Sequence, residues 1–184
     1  IRDILLITNE TDHEQYKRLL RDGNQYGINI EYACQKNPEG VAQAFIIGKD
    51  FINNSPSALI LGDNIFHGNQ LINQFSQISE KKLGATVLAY PVRDPERYGV
   101  VEFDDLGKVL NIEEKPRKPK SKYAITGLYF YDSTVVEKAA EITKSPKGEF
   151  EITDINKKYL EEGSLEVIQM GRGMAWLDTG TKDS

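Results

Sequence analysis

Two carboxylates stand just after apolar segments and are the first candidates for chemistry. Asp63 follows residues 58–61 in "ALILGDN", and Asp178 follows residues 174–177 in "MAWLDTG". A plain turn explains Asp63, because Gly, Asp and Asn are common in turns, and a helix N-cap explains Asp178. Alternatively, a strand delivers its carboxylate to the carboxyl end of a parallel sheet, where open α/β folds bind ligands. Two such carboxylates brought together would suit Mg²⁺, with water and substrate phosphates completing the site.

The segment from Gln35 to Gly40 joins an expected strand to an expected helix. Pro38 and Gly40 stiffen and tighten this loop, and the amides at the start of the helix are exposed donors. The Gln35 amide carries both donors and an acceptor, which suits reading the edge of a nucleobase. An ordinary loop with a surface glutamine explains the same residues.

Two further segments carry candidate ligands at strand ends. Gly99, next to Tyr98, opens an expected strand, and its missing side chain would let a ligand approach the backbone closely. A bulge is the structural alternative. Glu114 and Lys115 close another expected strand, where a carboxylate and an ammonium could bind a sugar hydroxyl and a phosphate. A solvated ion pair explains them equally well.

Alternating strands and helices over residues 2–92 are expected to position the first candidates. Strands are expected at 2–8, 28–34, 58–61 and 84–92, and helices within 10–23, 39–53 and 69–81. Such alternation is typical of βαβ units and of a parallel sheet with helices on both faces.

The pattern changes after residue 92. Residues 98–116 predict two strands joined by a hairpin turn at 104–107, and residues 122–132 predict a half-buried strand. Helices near 132–143 and 151–161 and a strand at 165–170 follow.

Composition limits the classes of partner. The 184 residues carry 23 Lys and Arg against 28 Asp and Glu, a net charge of −5, which disfavours a general nucleic-acid binder. No apolar run approaches the roughly 18 residues that span a bilayer, so no membrane partner is expected. The single cysteine, Cys34, cannot form an internal disulfide and suits a small hydrophobic position.

Six stretches resemble the sugar nucleotidyltransferases, and most closely the glucose-1-phosphate thymidylyltransferases among them. They are YACQKNPEGVAQAF, ALILGDNIFHG, RYGVVEFD, IEEKPRKPKSKYAITGLYFYD, GEFEITDIN and GRGMAWLDTGT. The stretches fall in order across residues 32–181 and cover most of the chain. This resemblance favours the functional explanation of each candidate over the structural one.

The resemblance implies three groups of site residues. The thymine base and its loop would be held by Gln35, Pro38 and Gly40. The catalytic Mg²⁺ would be bound by Asp63 and Asp178. The glucose and sugar-phosphate pocket would be lined by Tyr98, Gly99, Glu114, Lys115, Ile125 and Gly127, with Trp176 packed beneath it. Lys115 would act in catalysis together with the two aspartates.

The resemblance also implies a fold, a reaction and an assembly. We expect a mixed, mainly parallel sheet with helices on both faces, with a nucleotide-binding half over 1–92 and a sugar-phosphate-binding half over 93–184. The reaction would join dTTP and glucose 1-phosphate, giving dTDP-glucose and pyrophosphate for the synthesis of rhamnose and other deoxysugars. The enzyme would be a cytoplasmic homotetramer.

Two parts of the family pattern do not occur in these 184 residues. The family begins with a glycine-rich loop of the type G-G-x-G-T-R-L, followed by a lysine, and it ends with a helical segment. Because that loop holds the triphosphate, we expect the chain as given to be inactive by itself. Two alternatives stay open: a nucleotidyltransferase using another base or sugar phosphate, and a non-catalytic sugar-nucleotide-binding domain.

Overall fold

The structure is a computed structural model that describes residues 1–69, 71–81 and 83–180. The strands are β1 Asp3–Thr8, β2 Asn29–Cys34, β3 Ser57–Ile60, β4 Asn64–Gly68, β5 Ala85–Pro91, β6 Gly99–Phe103, β7 Val109–Glu114, β8 Tyr123–Tyr131, β9 Leu165–Gln169 and β10 Met174–Asp178. The helices are α1 His13–Leu20, α2 Gln43–Ile47, α3 Lys49–Ile52, α4 Leu71–Ser79, α5 Val135–Glu141 and α6 Ile152–Glu161. None of the helices in the described part of the chain has the length and apolar character that crossing a membrane requires.

The chain divides into two compact units. The first joins Ile1–Asn54 to Val136–Ile152, and the second joins Ser55–Val135 to the segment that starts at Thr153. These bounds describe compactness, whereas the division into 1–92 and 93–184 concerns the substrate that each half binds and stays a prediction.

The first unit is built on the parallel pair β1 and β2, as the strand–helix–strand pattern predicted. The two strands run in register from Asp3 opposite Asn29 to Thr8 opposite Cys34. The single helix predicted within 39–53 is wrong in detail, because Gly48 divides it into α2 and α3 with φ −85° and ψ 8°. That ψ lies far from the helical value of about −42° and interrupts the hydrogen-bond ladder.

The second unit contains the main sheet, with the strand order β7-β6-β8-β5-β9, and β3 also pairs with β8. β4 and β10 form a separate antiparallel pair. The predicted hairpin is confirmed, because the Gly107 amide donates to the Asp104 carbonyl at 3.0 Å in the turn between β6 and β7. The core beneath the sheet contains Ile78, Leu88, Ala124, Leu128, Met170 and Trp176.

The mixed α/β class is confirmed, but the expected parallel majority is wrong. Among the strand pairs of the described residues, two are parallel and five are antiparallel. The reason is β8, which takes β3, β5 and β6 as antiparallel neighbours. With neighbours along both edges, β8 is almost wholly buried rather than half-buried.

Candidate active site

Asp63 and Asp178 lie together in the second unit. Asp178 is the last residue of β10 and pairs with Asn64, the first residue of β4, so that Asp63 lies beside it. Both carboxylates point toward Gly180: a Cβ there would lie 2.4 Å from Asp63 Oδ2 and 3.2 Å from Asp178 Oδ1. The two carboxylates therefore meet around one point.

The local structure around the two aspartates differs from the expected one. Asp63 occupies a turn, as the simpler explanation held, yet β3 before it pairs antiparallel with β8 and not within a parallel sheet. Asp178 ends a strand, so the helix N-cap explanation is wrong. The amide and hydroxyl of Thr179 both donate to the Asp63 carbonyl, at 2.9 and 2.8 Å, and hold the two loops together.

Asn64 links three parts of the site, a role that its place among turn-forming residues did not predict. Its Oδ1 accepts hydrogen bonds from the Gly127 amide at 2.9 Å and from Trp176 Nε1 at 2.5 Å. Its Nδ2 donates to Asp63 Oδ1 at 2.8 Å. Asn64 therefore fixes one carboxylate, the backbone of β8 and the indole of β10 relative to one another.

Trp176 packs against the rings of Tyr90 and Tyr98 in edge-on contacts, with ring centroids 6.1 and 5.3 Å apart. Trp176 as a whole is 7% exposed. Burial raises the pKa of Tyr98, and a hydrogen bond to Asp178 and the charge of that carboxylate raise it further, whereas Arg97 lowers it. The Tyr98 hydroxyl is thus a protonated donor facing one of the two aspartates.

Glu114 and Gly99 lie opposite each other in the ladder between β7 and β6. A Cβ on Gly99 would lie 3.4 Å from Glu114 Oε2, 3.0 Å from Thr153 Oγ1 and 3.9 Å from Ile125 Cδ1. The buried Thr153 hydroxyl donates to Glu114 Oε2. Thr153 belongs to the recognised GEFEITDIN stretch, but the sequence pattern gave no reason to connect it with Glu114.

Lys115 follows Glu114 in a left-handed backbone conformation, with φ +42°. Its amide donates to the Tyr98 carbonyl at 3.0 Å, and its Nζ lies 3.6 Å from Glu114 Oε1. The ammonium is exposed and Glu114 is half-buried. The Lys115 ammonium is therefore exposed, whereas the neighbouring Glu114 carboxylate is fixed by the buried Thr153 hydroxyl.

Gln35, Pro38 and Gly40 form the predicted loop after β2, in the first unit. The backbone N–H of Gln35 donates to the Thr8 carbonyl at 2.8 Å and continues the parallel ladder by one step. Gly40 has φ +103°, and a Cβ there would lie 2.4 Å from Phe150 O. Only glycine fits at this position, which explains the loop's composition.

The donor set fits a magnesium ion. Within residues 1–69, 71–81 and 83–180, no group of three or more His, Cys, Asp or Glu side chains is placed to hold a metal. Mg²⁺ commonly takes one or two carboxylates and completes its shell with water and substrate phosphate oxygens. Asp63 and Asp178 supply that minimal pair.

Comparison with known proteins agrees with this chemistry. The chain matches the family described as nucleotidyl transferase over residues 1–184. The chain belongs to the nucleotidyl transferase family. It is 55% identical to the glucose-1-phosphate thymidylyltransferase of Xanthomonas campestris pv. campestris (strain B100), covering 100% of this chain and 62% of that relative. It is also 55% identical to the enzyme of the same name from Neisseria gonorrhoeae, covering 100% of this chain and 64% of that relative.

Solved structures show the same nucleotidyltransferase architecture. A Bacillus anthracis protein assigned as a glucose-1-phosphate thymidylyltransferase, solved with sucrose, has a TM-score of 0.90 at 40% identity, covering 100% of this chain and 73% of that one. A UDP-glucose pyrophosphorylase complexed with UDP-glucose has a TM-score of 0.78 at 20% identity, covering 99% and 77%, and shows the fold alone. The resemblance stated from the sequence is confirmed, and the chain spans 62% to 64% of the length of the two curated relatives.

Proposed function

We propose that the protein containing this chain transfers a thymidylyl group from dTTP to glucose 1-phosphate, giving dTDP-glucose and pyrophosphate. The observation that carries the proposal is the meeting of Asp63 and Asp178 around Gly180. Relatives with this activity in their names, at 55% identity, support the choice of substrates. Use in deoxysugar synthesis of the dTDP-rhamnose type and a homotetrameric assembly belong to the same proposal. So does a cytoplasmic location.

The reaction needs no protein nucleophile, because a sugar 1-phosphate is already an anion. One of its oxygens attacks the α-phosphorus of dTTP, and the bond from that phosphorus to the oxygen bridging the β-phosphorus breaks, releasing pyrophosphate. Such a transfer depends on positioning and on neutralising charge. Mg²⁺ held by Asp63 and Asp178 would supply a Lewis acid for the phosphate oxygens.

The chain's own residues position the sugar phosphate. Lys115 offers an exposed ammonium for the attacking phosphate, and Glu114 offers a carboxylate that can accept from sugar hydroxyls. The Thr153 hydroxyl keeps Glu114 in place, and the missing side chain of Gly99 leaves the space into which both side chains fit. Trp176 packs against Tyr98, whose carbonyl accepts from the Lys115 amide.

The test uses the full-length protein and measures pyrophosphate release from dTTP and glucose 1-phosphate with Mg²⁺. Asp63→Asn and Asp178→Asn should each lower kcat by about 100-fold or more, since losing a metal ligand costs several kcal/mol in a site of this kind. Asp105→Asn, in the exposed hairpin turn, is the matched control and should keep wild-type activity. Near-normal activity of either site variant, or a preference for UTP, ATP or CTP, would refute the proposal.

A further inference from the structure

In the first unit, a series of side-chain hydrogen bonds connects Lys144 to Gln35 through Glu39 and Gln43. Lys144 Nζ donates to Glu39 Oε1 at 2.7 Å, and Gln43 Nε2 donates to Glu39 Oε2 at 3.3 Å. Gln35 Nε2 then donates to Gln43 Oε1 at 2.5 Å. Phe150 fixes the Lys144 end of this series. Its backbone amide donates to the Glu39 carbonyl at 2.7 Å, and Lys144 Nζ lies 5.3 Å from the centre of its ring.

The Gln43 amide has only one orientation that satisfies its neighbours. The Glu39 carboxylate can only accept, so the side-chain atom of Gln43 facing it must be the nitrogen. The Glu39 backbone amide can only donate, and it lies 3.2 Å from Gln43 Oε1. Glu39 therefore fixes the oxygen of Gln43 toward Gln35.

The orientation of the Gln35 amide follows from that of Gln43. Its nitrogen faces two acceptors, Gln43 Oε1 at 2.5 Å and the Gly40 carbonyl at 3.3 Å. Turning the amide over would place an oxygen against both acceptors, which is repulsive. Within the described residues, no hydrogen bond reaches the Gln35 side-chain oxygen. Gln35 thus presents an acceptor, and its donors are already used.

We propose that Gln43 is a positioning residue that makes Gln35 select bases with an N–H at ring position N3. Thymine and uracil carry a donor there, whereas cytosine carries a lone pair that would face the Gln35 oxygen. The inference rests on the proposed function and on the contact with the base that the family resemblance implies for Gln35. It adds to that function by attributing the selectivity for the base to the hydrogen bonds from Gln35 to Gln43 and from Gln43 to Glu39, as well as to Gln35 itself.

The test measures the binding of dTTP and dCTP to the full-length protein by calorimetry at a fixed Mg²⁺ concentration. Wild type should prefer dTTP. Gln43→Met keeps the side-chain length and removes both hydrogen-bonding groups, so the Gln35 amide is free to turn over. Binding of dTTP should weaken about three- to tenfold, the usual effect of one hydrogen bond, and dCTP should bind more tightly, because a turned Gln35 amide can donate to its N3.

Two further variants separate positioning from folding. Gln15→Met, on the exposed face of α1 in the same unit, is the matched control and should leave both affinities unchanged. Glu39→Ala removes the carboxylate and leaves the Glu39 backbone amide, so it removes one of the two groups that orient the Gln43 amide. It should reduce the preference for dTTP over dCTP less than Gln43→Met does, which keeps the test open if Gln43→Met folds poorly.

The outcomes also distinguish this inference from the proposed function. Unchanged dTTP selectivity in folded Gln43→Met, or no dTTP preference in wild type, would overturn the inference even if pyrophosphate release is normal. Absence of pyrophosphate release from wild type, with base selectivity that still depends on Gln43, would refute the reaction and support the inference.

Discussion

Replacing Gly127 with alanine should damage the site from inside the sheet. A Cβ at this position would lie 2.6 Å from Asn64 Oδ1, 2.7 Å from Asn64 Cγ and 2.8 Å from Leu61 Cδ1. Contacts of this length are not tolerated, so the Asn64 side chain has to move. Its hydrogen bonds from the Gly127 amide and from Trp176 Nε1 would break together.

The expected loss of stability from Gly127→Ala is about 2–5 kcal/mol. Overpacking at a buried position costs about 1–3 kcal/mol, and each lost hydrogen bond about 1 kcal/mol. The lower entropy of alanine in the unfolded chain offsets about 0.4–1 kcal/mol of this cost. The readout is the urea midpoint of the full-length protein, with an unchanged dependence on urea concentration.

Two companion variants make the Gly127→Ala prediction specific. Gly171→Ala is the matched control, because a Cβ at 171 meets nothing within 4 Å and its φ lies outside the left-handed region, so stability should be unchanged or slightly higher. In an Asn64→Ala background, two of the three close contacts disappear, leaving only the end of the Leu61 side chain. Gly127→Ala should then cost less than about 1 kcal/mol, a clear departure from additivity. Equal costs in the two backgrounds would show that Asn64 is not what Gly127 accommodates.

Two further predictions concern substrates and pH. Gln35→Ala should raise the KM for dTTP more than that for glucose 1-phosphate, and Glu114→Ala should do the reverse, because a side chain that touches one substrate mainly affects its binding; equal effects on both KM values would contradict the assignment. Burial raises the pKa of Tyr131 well above its ordinary value of 10.0, so the folded state holds this proton more tightly and stability should fall as pH rises above about 10. Tyr131→Phe should reduce the fall of the free energy of unfolding by up to about 1.4 kcal/mol per pH unit, as obtained from urea unfolding between about pH 9 and 11. The same pH dependence in Tyr131→Phe and wild type would contradict this role of Tyr131.

The sequence predicted where strands lie better than how they pair. Apolar runs bounded by turn residues located β1, β2, β3 and β5 closely, because burial leaves that signal in each strand separately. The direction of pairing depends on which strands are neighbours in the sheet. The sequence of β8 contains no residue from which its three antiparallel neighbours could be predicted. The parallel majority was inferred from strand–helix alternation, and it failed where β8 joined the sheet.

The site divides in a similar way. The resemblance led to Asp63 and Asp178, and the structure places their carboxylates together. It gave no role to Asn64 or Thr153, which make hydrogen bonds to candidate site residues of the second unit, or to Gln43, which makes a hydrogen bond to Gln35 in the first. Asn64 bonds to a backbone amide 63 positions away and Thr153 to a carboxylate 39 positions away. Such partners become visible only when the chain is folded.

Three glycines show what a single sequence can reveal about such contacts. Gly99, Gly127 and Gly180 all lie outside the left-handed region, so backbone conformation does not explain them. Each stands where a side chain would meet a group of the site: Glu114 and Thr153 at Gly99, Asn64 at Gly127, and the two aspartates at Gly180. A glycine within or just beyond a strand is therefore informative even without a turn, because it marks a close approach. The same reasoning applies to Gly127 and Gly180, which mark places of close approach, whereas only the fold shows that Asn64 and the two aspartates are the groups that approach them.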